Sequence, residues 1–422
     1  MERVLNYDVV IAGGGTAGVA AAVGAAKAGA RTLLIERAAY CGGNATNAGV
    51  SAFCGFYTCG ENPVKVVSGA GELLIDAMRE LDPKAVEVVI SASGNQNINF
   101  QPEYLKCAMD NVLAEAGADC LLHTRIIGAS AEGKNLKMIS CADDEGTFTV
   151  TAKAFVDATG DANLTSLAGG KTVWGGPDGT VQAATLTFRM AGVDTSADLS
   201  PAAVERAVKA AKAAGIPHLT RERGFILSID GSNIVAVLLP SVMPNGLSAE
   251  ELSAMERDTR RQVLSYVKAL KMYMPGMEYA ELAVMGPSLG FRETRKIAGR
   301  ACLSADDVLQ RRKCADGVAR GGWKPEIHKS LNEAATYVDV KDGSYFDIPL
   351  GILQTESFDN VYGAGRNVSA DEEAFAAVRV MGTCFATGHA AGVAAACQAK
   401  RGAAIVSAED VRRELVRQGA LV

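Results

Sequence analysis

Cys54 and Cys59 stand in a Cys-x4-Cys spacing within GGNATNAGVSAFCGFYTC, residues 42–59, a pattern able to pass electrons to a partner by thiol–disulfide exchange. Two ordinary loop cysteines are the competing reading. Farther along, Arg292-Glu293-Thr294-Arg295 offers two guanidinium groups that in a cleft could clamp a carboxylate through paired hydrogen bonds, or support a cofactor. An Arg292–Glu293 ion pair bridging two domains explains the same residues structurally. Four histidines, His123, His218, His328 and His389, restrict the choice of groups that titrate near neutral pH. His123 closes a strand-like run and His218 lies in a loop, neither with a supporting constellation. His389 sits on an Ala/Gly face of a helical stretch, which favours packing or a single hydrogen bond. No Cys/His cluster has zinc-ligand spacing and no G-x-S-x-G elbow is present, so no metal site or serine nucleophile is expected.

Side chains scattered over 422 residues act together only if a scaffold gathers them, and the N-terminal stretch predicts one. In YDVVIAGGGTAGVAAAVGAAKAGARTLLIER, a short buried strand, Val9–Ile11, follows Asp8 and runs into Gly13-Gly14-Gly15-Thr16-Ala17-Gly18, which fits G-x-G-x-x-G. An alanine-rich helix continues to about Ala28, Gly29 ends it, and a second strand, Thr32–Ile35, stops at Glu36. Each part has a physical task in holding a dinucleotide. Gly13 permits the tight turn, Gly15 lets the backbone approach a pyrophosphate, and Gly18 lets the helix pack closely on the sheet. The helix start at Thr16 and Ala17 offers unpaired N–H groups and a positive dipole end to that pyrophosphate. Glu36 is placed to accept hydrogen bonds from ribose hydroxyls, and its charge would repel a 2′-phosphate.

Three later blocks decide which dinucleotide. After Glu36 the chain reads Arg37-Ala38-Ala39-Tyr40-Cys41-Gly42-Gly43-Asn44-Ala45-Thr46. Residues 154–170, AFVDATGDANLTSLAGG, form an apolar strand ending in Asp157-Ala158-Thr159-Gly160-Asp161. Residues 359–400 run from a strand at Val361–Gly363 through Gly365-Arg366 to a helix starting near Met381-Gly382-Thr383-Cys384. With LGFRETRKIAGRACLSADDVL (289–309) and GGWKPEIHK (321–329), these blocks resemble the FAD-dependent oxidoreductase family distantly related to the fumarate reductase and succinate dehydrogenase flavoproteins. The resemblance implies an α/β fold: a Rossmann-type FAD-binding domain, glutathione-reductase-like with three β/β/α layers, carrying an inserted α+β cap or substrate domain. It also implies FAD as cofactor. No histidine occupies the Gly-Gly-Asn-Ala-Thr segment where some relatives attach flavin covalently, so noncovalent FAD is expected.

Carried onto this sequence, the family pattern assigns cofactor contacts to Gly13, Gly15, Thr16, Ala17, Gly18, Glu36, Arg37, Gly42, Gly43, Asn44, Ala45 and Thr46. It adds Ile126, Ala158, Thr159, Gly160, Asp161, Gly365, Arg366, Gly382, Thr383 and Cys384. The N–H groups at the start of the last helix would stabilise negative charge on the reduced flavin. His328 becomes the leading acid–base candidate because its block resembles a segment leading to the active-site side of the flavin; a structural histidine is the alternative. Tyr345, before Phe346-Asp347-Ile348-Pro349, is a proton-donor candidate or a strand aromatic, and Arg292 completes the catalytic set. In disulfide reductases the reactive cysteines follow the Gly-Gly-x segment directly, at positions equivalent to Ala45 and Val50 here. Cys54 and Cys59 come nine residues later, a displacement of roughly 13 Å along a helix.

The expected organisation is a first FAD-binding part at 1–170, a cap with flavin-side return segments at 171–339, a second FAD-binding part at 340–400 and a C-terminal helix at 401–422. In the first part, 101–117 reads as a helix, DCLLHTRIIGAS as one strand and 134–150 as a small antiparallel meander. In the cap, GFILSIDGSNIVAVLLP reads as a hairpin turning near Asp230-Gly231, and a long amphipathic helix follows with Ser248 as its N-cap. The net charge of −6, with both signs interspersed, gives no attraction for a phosphate backbone, so nucleic acid is not an expected partner. The small-residue run Ile11–Ala30 carries six glycines and Lys27, which argues against a membrane span. Ten cysteines without regular spacing fit a reducing cytoplasm. The expected function is hydride transfer between a small organic substrate and flavin N5. The alternatives are a flavin–thiol enzyme using Cys54 and Cys59, or FAD in a non-redox ligand- or partner-binding role; a homo-oligomer is left open.

Overall fold

The alternation of short β-branched runs with Ala/Gly-rich stretches builds a central sheet with helices packed on it. The computed structural model describes residues 3–91, 94–228, 232–331, 335–340, 343–402 and 405–422. Its first elements are β1 (Val4–Ala12), α1 (Thr16–Lys27) and β2 (Thr32–Ile35). β1 is longer than the apolar triplet Val9–Ile11 implies. Its more exposed first half pairs with a later strand, Val4 opposite Thr149, and packs Leu5 and Tyr7 on the core, so ladder hydrogen bonds add to partial burial in holding it. Helix α2 (Pro102–Ala116) leads to β3 (Asp119–Leu121), and β4 (Arg125–Glu132), β5 (Asn135–Asp143) and β6 (Gly146–Asp157) follow.

The stretch DCLLHTRIIGAS is therefore two strands, not one. β3 lies beside β2 at one edge of the sheet, whereas β4 starts the meander at the other edge, in the order β3-β2-β1-β6-β5-β4. The chain breaks at His123, which takes a left-handed φ of 54°. β6 joins two roles. Its first half pairs antiparallel with β5, and its last residues pair parallel with a strand from far along the chain, described next.

The cap comprises β7 (Phe188–Ala191), α3 (Pro201–Ala213), β8 (Phe225–Leu227), β9 (Ile234–Leu238), α4 (Ala249–Tyr273) and β10 (Glu281–Met285). Its strands form an antiparallel sheet in the order β8-β9-β7-β10, packed on α3 and α4 through a core that includes Val204, Val208, Val237, Tyr266 and Leu270. Ser248 caps α4 in a full capping box with Glu251, as its sequence predicts. β8 and β9 form the expected hairpin, while Asp230 and Gly231 lie outside the described residues. Beyond the cap come β11 (Glu326–Ile327) paired with β12 (Thr336–Tyr337), then β13 (Val361–Gly363), α5 (Met381–Arg401) and α6 (Ala408–Arg417). β13 returns to the central sheet beside β6.

Register makes the architecture useful. Ala12 pairs with Ile35 and with Asp157, and Asp157 with Gly363, so β1, β2, β6 and β13 end level. The loops that follow them emerge along one edge, where open α/β sheets bind ligands. Helices α1 and α5 lie against each other unusually closely. A Cβ at Gly388 would sit 2.1 Å from the Ala17 carbonyl oxygen, and one at Gly392 would sit 2.0 Å from that of Ala21. The four-residue spacing puts both glycines on one ridge. Because α1 is buried from Thr16 to Ala25, it has no polar face, and its all-round alanine composition follows from that. Gly388→Ala is expected to cost about 1–3 kcal/mol by forcing the two helices apart. A fall in the melting temperature of the purified protein would show it; an unchanged melt would mean the contact is looser than described.

Candidate functional site

At the level edge of the sheet, the loop after β1 is fixed from three sides. The Gly13 N–H donates to the Ile35 carbonyl at 2.8 Å, and Gly13 adopts φ of 97° with no room for a side chain against the Ala158 carbonyl oxygen, 2.6 Å from where a Cβ would lie. A Cβ on Gly18 would lie 1.8 Å from the Gly13 carbonyl oxygen, so the helix can start this close to the turn only with glycine there. The N–H groups of Gly14 and Ala38 donate to the two carboxylate oxygens of Glu36, at 2.7 and 2.9 Å. Glu36 is thus buried and oriented, with a second lone pair on each oxygen left for a ribose hydroxyl.

Gly15 differs from its neighbours. A Cβ there would meet only the Gly43 Cα, at 4.0 Å. Gly15 is the N-cap of α1 with no side-chain cap, and Thr16 and Ala17 form the first turn behind it. Gly42 bonds back to the Gly14 carbonyl, and Gly42 and Gly43 both take left-handed φ to start a short turn of helix through Ala45. Thr46 closes that turn by donating to the Cys41 carbonyl. The result is a glycine-lined cradle at a helix N-terminus, fit for a pyrophosphate.

The other two loops brace the cradle. Asp157, fully buried, accepts hydrogen bonds from Thr159, Thr165 and Asn367, which ties the Ala158-Thr159-Gly160 turn to the segment after β13. Asp161 accepts from Thr294 at 2.7 Å and pairs with Arg366 at 2.8 Å. Burial opposes ionisation of Asp161, but the Arg366 charge and the two hydrogen bonds outweigh it and hold its carboxyl below the usual range; the exposed Arg37 acts in the same direction. Gly365, with φ of 73°, sits where a Cβ would be 2.7 Å from that of Ala17 and 3.7 Å from the Cys384 Sγ. It therefore marks where the starts of α1 and α5 converge. Ile126 lies on β4 opposite Cys141, part-buried. In the first turn of α5, the Gly382 N–H donates to the Cys54 carbonyl, and the Thr383 hydroxyl is buried without a hydrogen-bond partner among the described residues.

A second cluster lies between these loops and the cap. The Arg292 guanidinium donates to the Ala183 carbonyl at 2.7 Å and to the Thr185 hydroxyl at 2.8 Å. It does not pair with Glu293, which is buried and pairs instead with Lys296 at 3.1 Å. Arg295 does not join Arg292 in a clamp either; it donates to the Asp161 carbonyl, Asn163 and Ser166, holding the loop after β6. The partners of Arg292 are groups that sequence spacing does not connect. Its charge acts on Arg379, Arg221, Glu326 and Tyr337. One Glu326 carboxylate oxygen accepts from His328 Nε2 at 3.1 Å and from the Tyr337 hydroxyl at 3.1 Å; the other accepts from the Trp323 indole N–H at 3.2 Å. Arg379 donates to the Glu326 backbone carbonyl at 3.0 Å and to the Gln182 side-chain oxygen at 3.3 Å.

Two links join this cluster to the cradle. Arg379 lies two residues before α5, next to its N-cap Val380, and its carbonyl accepts from the Cys384 thiol. Asn44 donates to the carbonyl of Phe291, the residue before Arg292. Of the three catalytic candidates, Arg292 and His328 share this cluster. Tyr345 instead stacks under Lys313 and Arg320, and the tyrosine beside His328 is Tyr337. Glu326 was within reach of sequence reasoning, because it lies two residues before His328 and alternate residues of an extended segment share a face. Arg221, Gln182 and Arg379 carried no comparable signal.

Cys54 and Cys59 are thiols that pack with Trp323 and Val380 beside the start of α5. Burial, and then the Glu326 charge, push the Cys54 thiol far up, so it is protonated at neutral pH and a poor attacking group.

Burial, followed by the Arg292 charge, pulls His328 down to about 3 despite its bond to Glu326, and burial pulls His389 down to about 4. Burial resists ionisation of Glu326 too, but His328, Arg379 and Arg292 overcome it and hold the carboxylate ionised. The unfolded chain binds a proton on each imidazole below the ordinary value of 6.5 and the native chain does not, so stability rises with pH across that interval. At about pH 5 each group is expected to cost about 2 kcal/mol relative to neutral pH. The melting temperature should fall by several degrees between those conditions. His389→Gln, which keeps a donor for the Gln418 side-chain oxygen at 2.8 Å, should remove part of the fall; an equal fall in that variant would count against the assignment.

A family model described as FAD dependent oxidoreductase matches residues 8–417. Among solved structures, a geranylgeranyl bacteriochlorophyll reductase-like protein from Thermoplasma acidophilum is similar with a TM-score of 0.50 and 15% identity, over 99% of this chain and 85% of that one. The p-nitrophenol 4-monooxygenase PnpA from Pseudomonas putida DLL-E4 is similar with a TM-score of 0.50 and 11% identity, over 98% and 84% of the two chains. At such identities the likeness is one of fold. No curated protein matches the sequence. Among the described residues no single helix is long and apolar enough to cross a membrane.

Proposed function

The chain belongs to the FAD-dependent oxidoreductase family, and from that premise we propose that it moves a hydride between a small organic substrate and flavin N5, as a dehydrogenase or reductase. FAD is its cofactor. When bound, FAD supplies the two-electron carrier. The observation that carries the proposal is the double link between cradle and cluster, through Asn44 to Phe291 and through Arg379 to the start of α5. It supports a substrate site bounded by Arg292, His328 and the first turn of α5. The distant kinship with fumarate reductase flavoproteins belongs to the same proposal and rests on the sequence blocks alone.

In this reading the residues divide the work. Gly15 and the start of α1 would hold the pyrophosphate, Glu36 the ribose, and Gly382, Thr383 and Cys384 the flavin. Glu326, ionised and accepting three hydrogen bonds, is a positioning residue. Because it can only accept, His328 Nε2 carries the proton and Nδ1 is the free base site. A neutral imidazole in that tautomer can take a proton from the substrate as the hydride leaves. Arg292 orients the substrate and keeps the imidazole neutral. The test is to mix oxidised holoenzyme with candidate donors, and photoreduced holoenzyme with candidate acceptors, while following flavin absorbance. If no small molecule changes the flavin redox state, the proposal fails.

A further inference from the structure

The strand Gln96–Phe100 turns two asparagines away from the core. Ile98 and Phe100 belong to the core, where Phe100 stacks on Phe53 with ring centroids 4.0 Å apart. Side chains alternate along a strand, so Asn97 and Asn99 face the other way. That way lies the cap: the Asn99 amide donates to the carbonyl of Ser228, just past β8, at 3.4 Å. Asparagine is depleted in strands, and these two are only 8% and 7% exposed. The sheet does not need them, because backbone groups make its ladder bonds. Asn97 Oδ1 has no hydrogen-bond partner among the described residues, and the bond from Asn99 is long. Buried amides so poorly engaged are exceptions that a ligand would account for.

A cavity of about 70 Å³ opens beside Asn99, lined also by Ser51, Gln101, Arg189, Ser228 and Ser232. Five of these six side chains are neutral groups that both donate and accept hydrogen bonds. An oxyanion would use only their donors and a cation only their acceptors, whereas a hydroxyl group uses both. Arg189 is the charged member; burial opposes its charge and Glu103 favours it, and its N–H groups suit hydroxyl oxygens too. At roughly 30 Å³ per water molecule the cavity has room for about two water-sized groups, so it suits a pair of adjacent hydroxyls and not a ring. Chain connectivity sets it next to the cradle. Val50, the residue before Ser51, donates its N–H to the carbonyl of Asn44, whose side chain reaches Phe291.

We propose that this cavity binds a vicinal diol, so that the substrate carries a polyhydroxylated end, as an open-chain sugar or a sugar alcohol does, held by Asn99, Ser51 and Ser228. As a statement about substrate it rests on the proposed redox function; as a statement about binding it does not. Saturation-transfer NMR on the oxidised holoenzyme tests it, with erythritol as the probe. Butane-1,4-diol, the same chain without the inner hydroxyls, is the control, and inorganic phosphate is the anionic arm. Erythritol should bind with a Kd of about 100 mM or tighter, as a ligand of this size allows, and butane-1,4-diol at least about fivefold more weakly. Asn99→Ala should weaken erythritol binding by about 5- to 10-fold while flavin content stays unchanged. Ser51→Ala serves if that variant fails to fold and should show a loss of the same kind. No binding of erythritol would mean that the cavity holds only water, and tighter binding of phosphate would make it an anion site; either result overturns the proposal. Equal binding of butane-1,4-diol, or unchanged affinity in the variants, would overturn it as well. Erythritol binding without any donor or acceptor changing the flavin would leave this inference standing and remove the functional one. Flavin turnover without erythritol binding would do the reverse.

Discussion

Changing Gly15 to alanine is expected to leave a protein that folds normally but purifies with little or no flavin. The expectation comes from what surrounds each glycine of the loop. At Gly18 an added methyl would strike the Gly13 carbonyl oxygen at 1.8 Å, so its loss would damage the fold and flavin binding together. At Gly13 the left-handed φ of 97° adds backbone strain to a clash with Ala158. Gly15 has neither problem. Its φ of −67° and ψ of −179° suit alanine, and the Gly43 Cα at 4.0 Å is an ordinary contact. Alanine is a poorer N-cap than glycine, by under about 1 kcal/mol. The methyl would instead occupy the place where a pyrophosphate must touch the backbone, and affinity should fall by at least about 100-fold, near 3 kcal/mol. The ratio of flavin to protein absorbance and the melt of the flavin-free protein separate the two effects. A variant that retains full flavin would mean that the cradle holds something else.

The βαβ unit was legible in the sequence because independent constraints agree there. Gly13 and Gly18 are each demanded by a different steric fact, and the acidic residue at the strand end orders the same loop by accepting from the Gly14 and Ala38 N–H groups. Cap helix α4 was legible for a similar reason, since Ser248 and Glu251 satisfy two orphan N–H groups reciprocally. Where the reading of 119–130 as one strand failed, the chain turns at His123, a non-glycine residue with positive φ that composition does not announce. The cluster was half legible. Arg292 and His328 could be named from their blocks, but Arg292–Glu293 pairing was suggested by adjacency alone. Glu293, almost wholly buried, needs its charge met within the interior and finds Lys296 three residues on, which leaves Arg292 to donate to the Ala183 carbonyl and the Thr185 hydroxyl. Gln182 and Arg379 are 197 residues apart in sequence and reach one site only through the tertiary fold.

His328→Gln is expected to slow flavin reduction by a substrate by about 10²- to 10⁴-fold, the range associated with losing a positioned general base. Glutamine is the informative replacement because its amide nitrogen falls near the Nε2 position and can still donate to Glu326, so the carboxylate keeps that partner and the surroundings need not rearrange. A merely structural histidine would then affect stability and leave the rate nearly intact. The pH profile gives a second readout. With His328 held at about 3, the parent enzyme should show no acid limb near the ordinary histidine value of 6.5. Arg292→Gln removes the charge that, after burial, does most to disfavour the imidazolium, so the His328 value should rise. An acid limb should then enter the profile from below, with kcat/KM falling as pH drops through the new value, in addition to a loss of substrate affinity. If Arg292→Gln lowers kcat/KM by the same factor at every pH, Arg292 binds substrate without tuning His328. If His328→Gln keeps the parent rate, the base lies elsewhere, and the Tyr337 hydroxyl on the same Glu326 oxygen becomes the next group to replace.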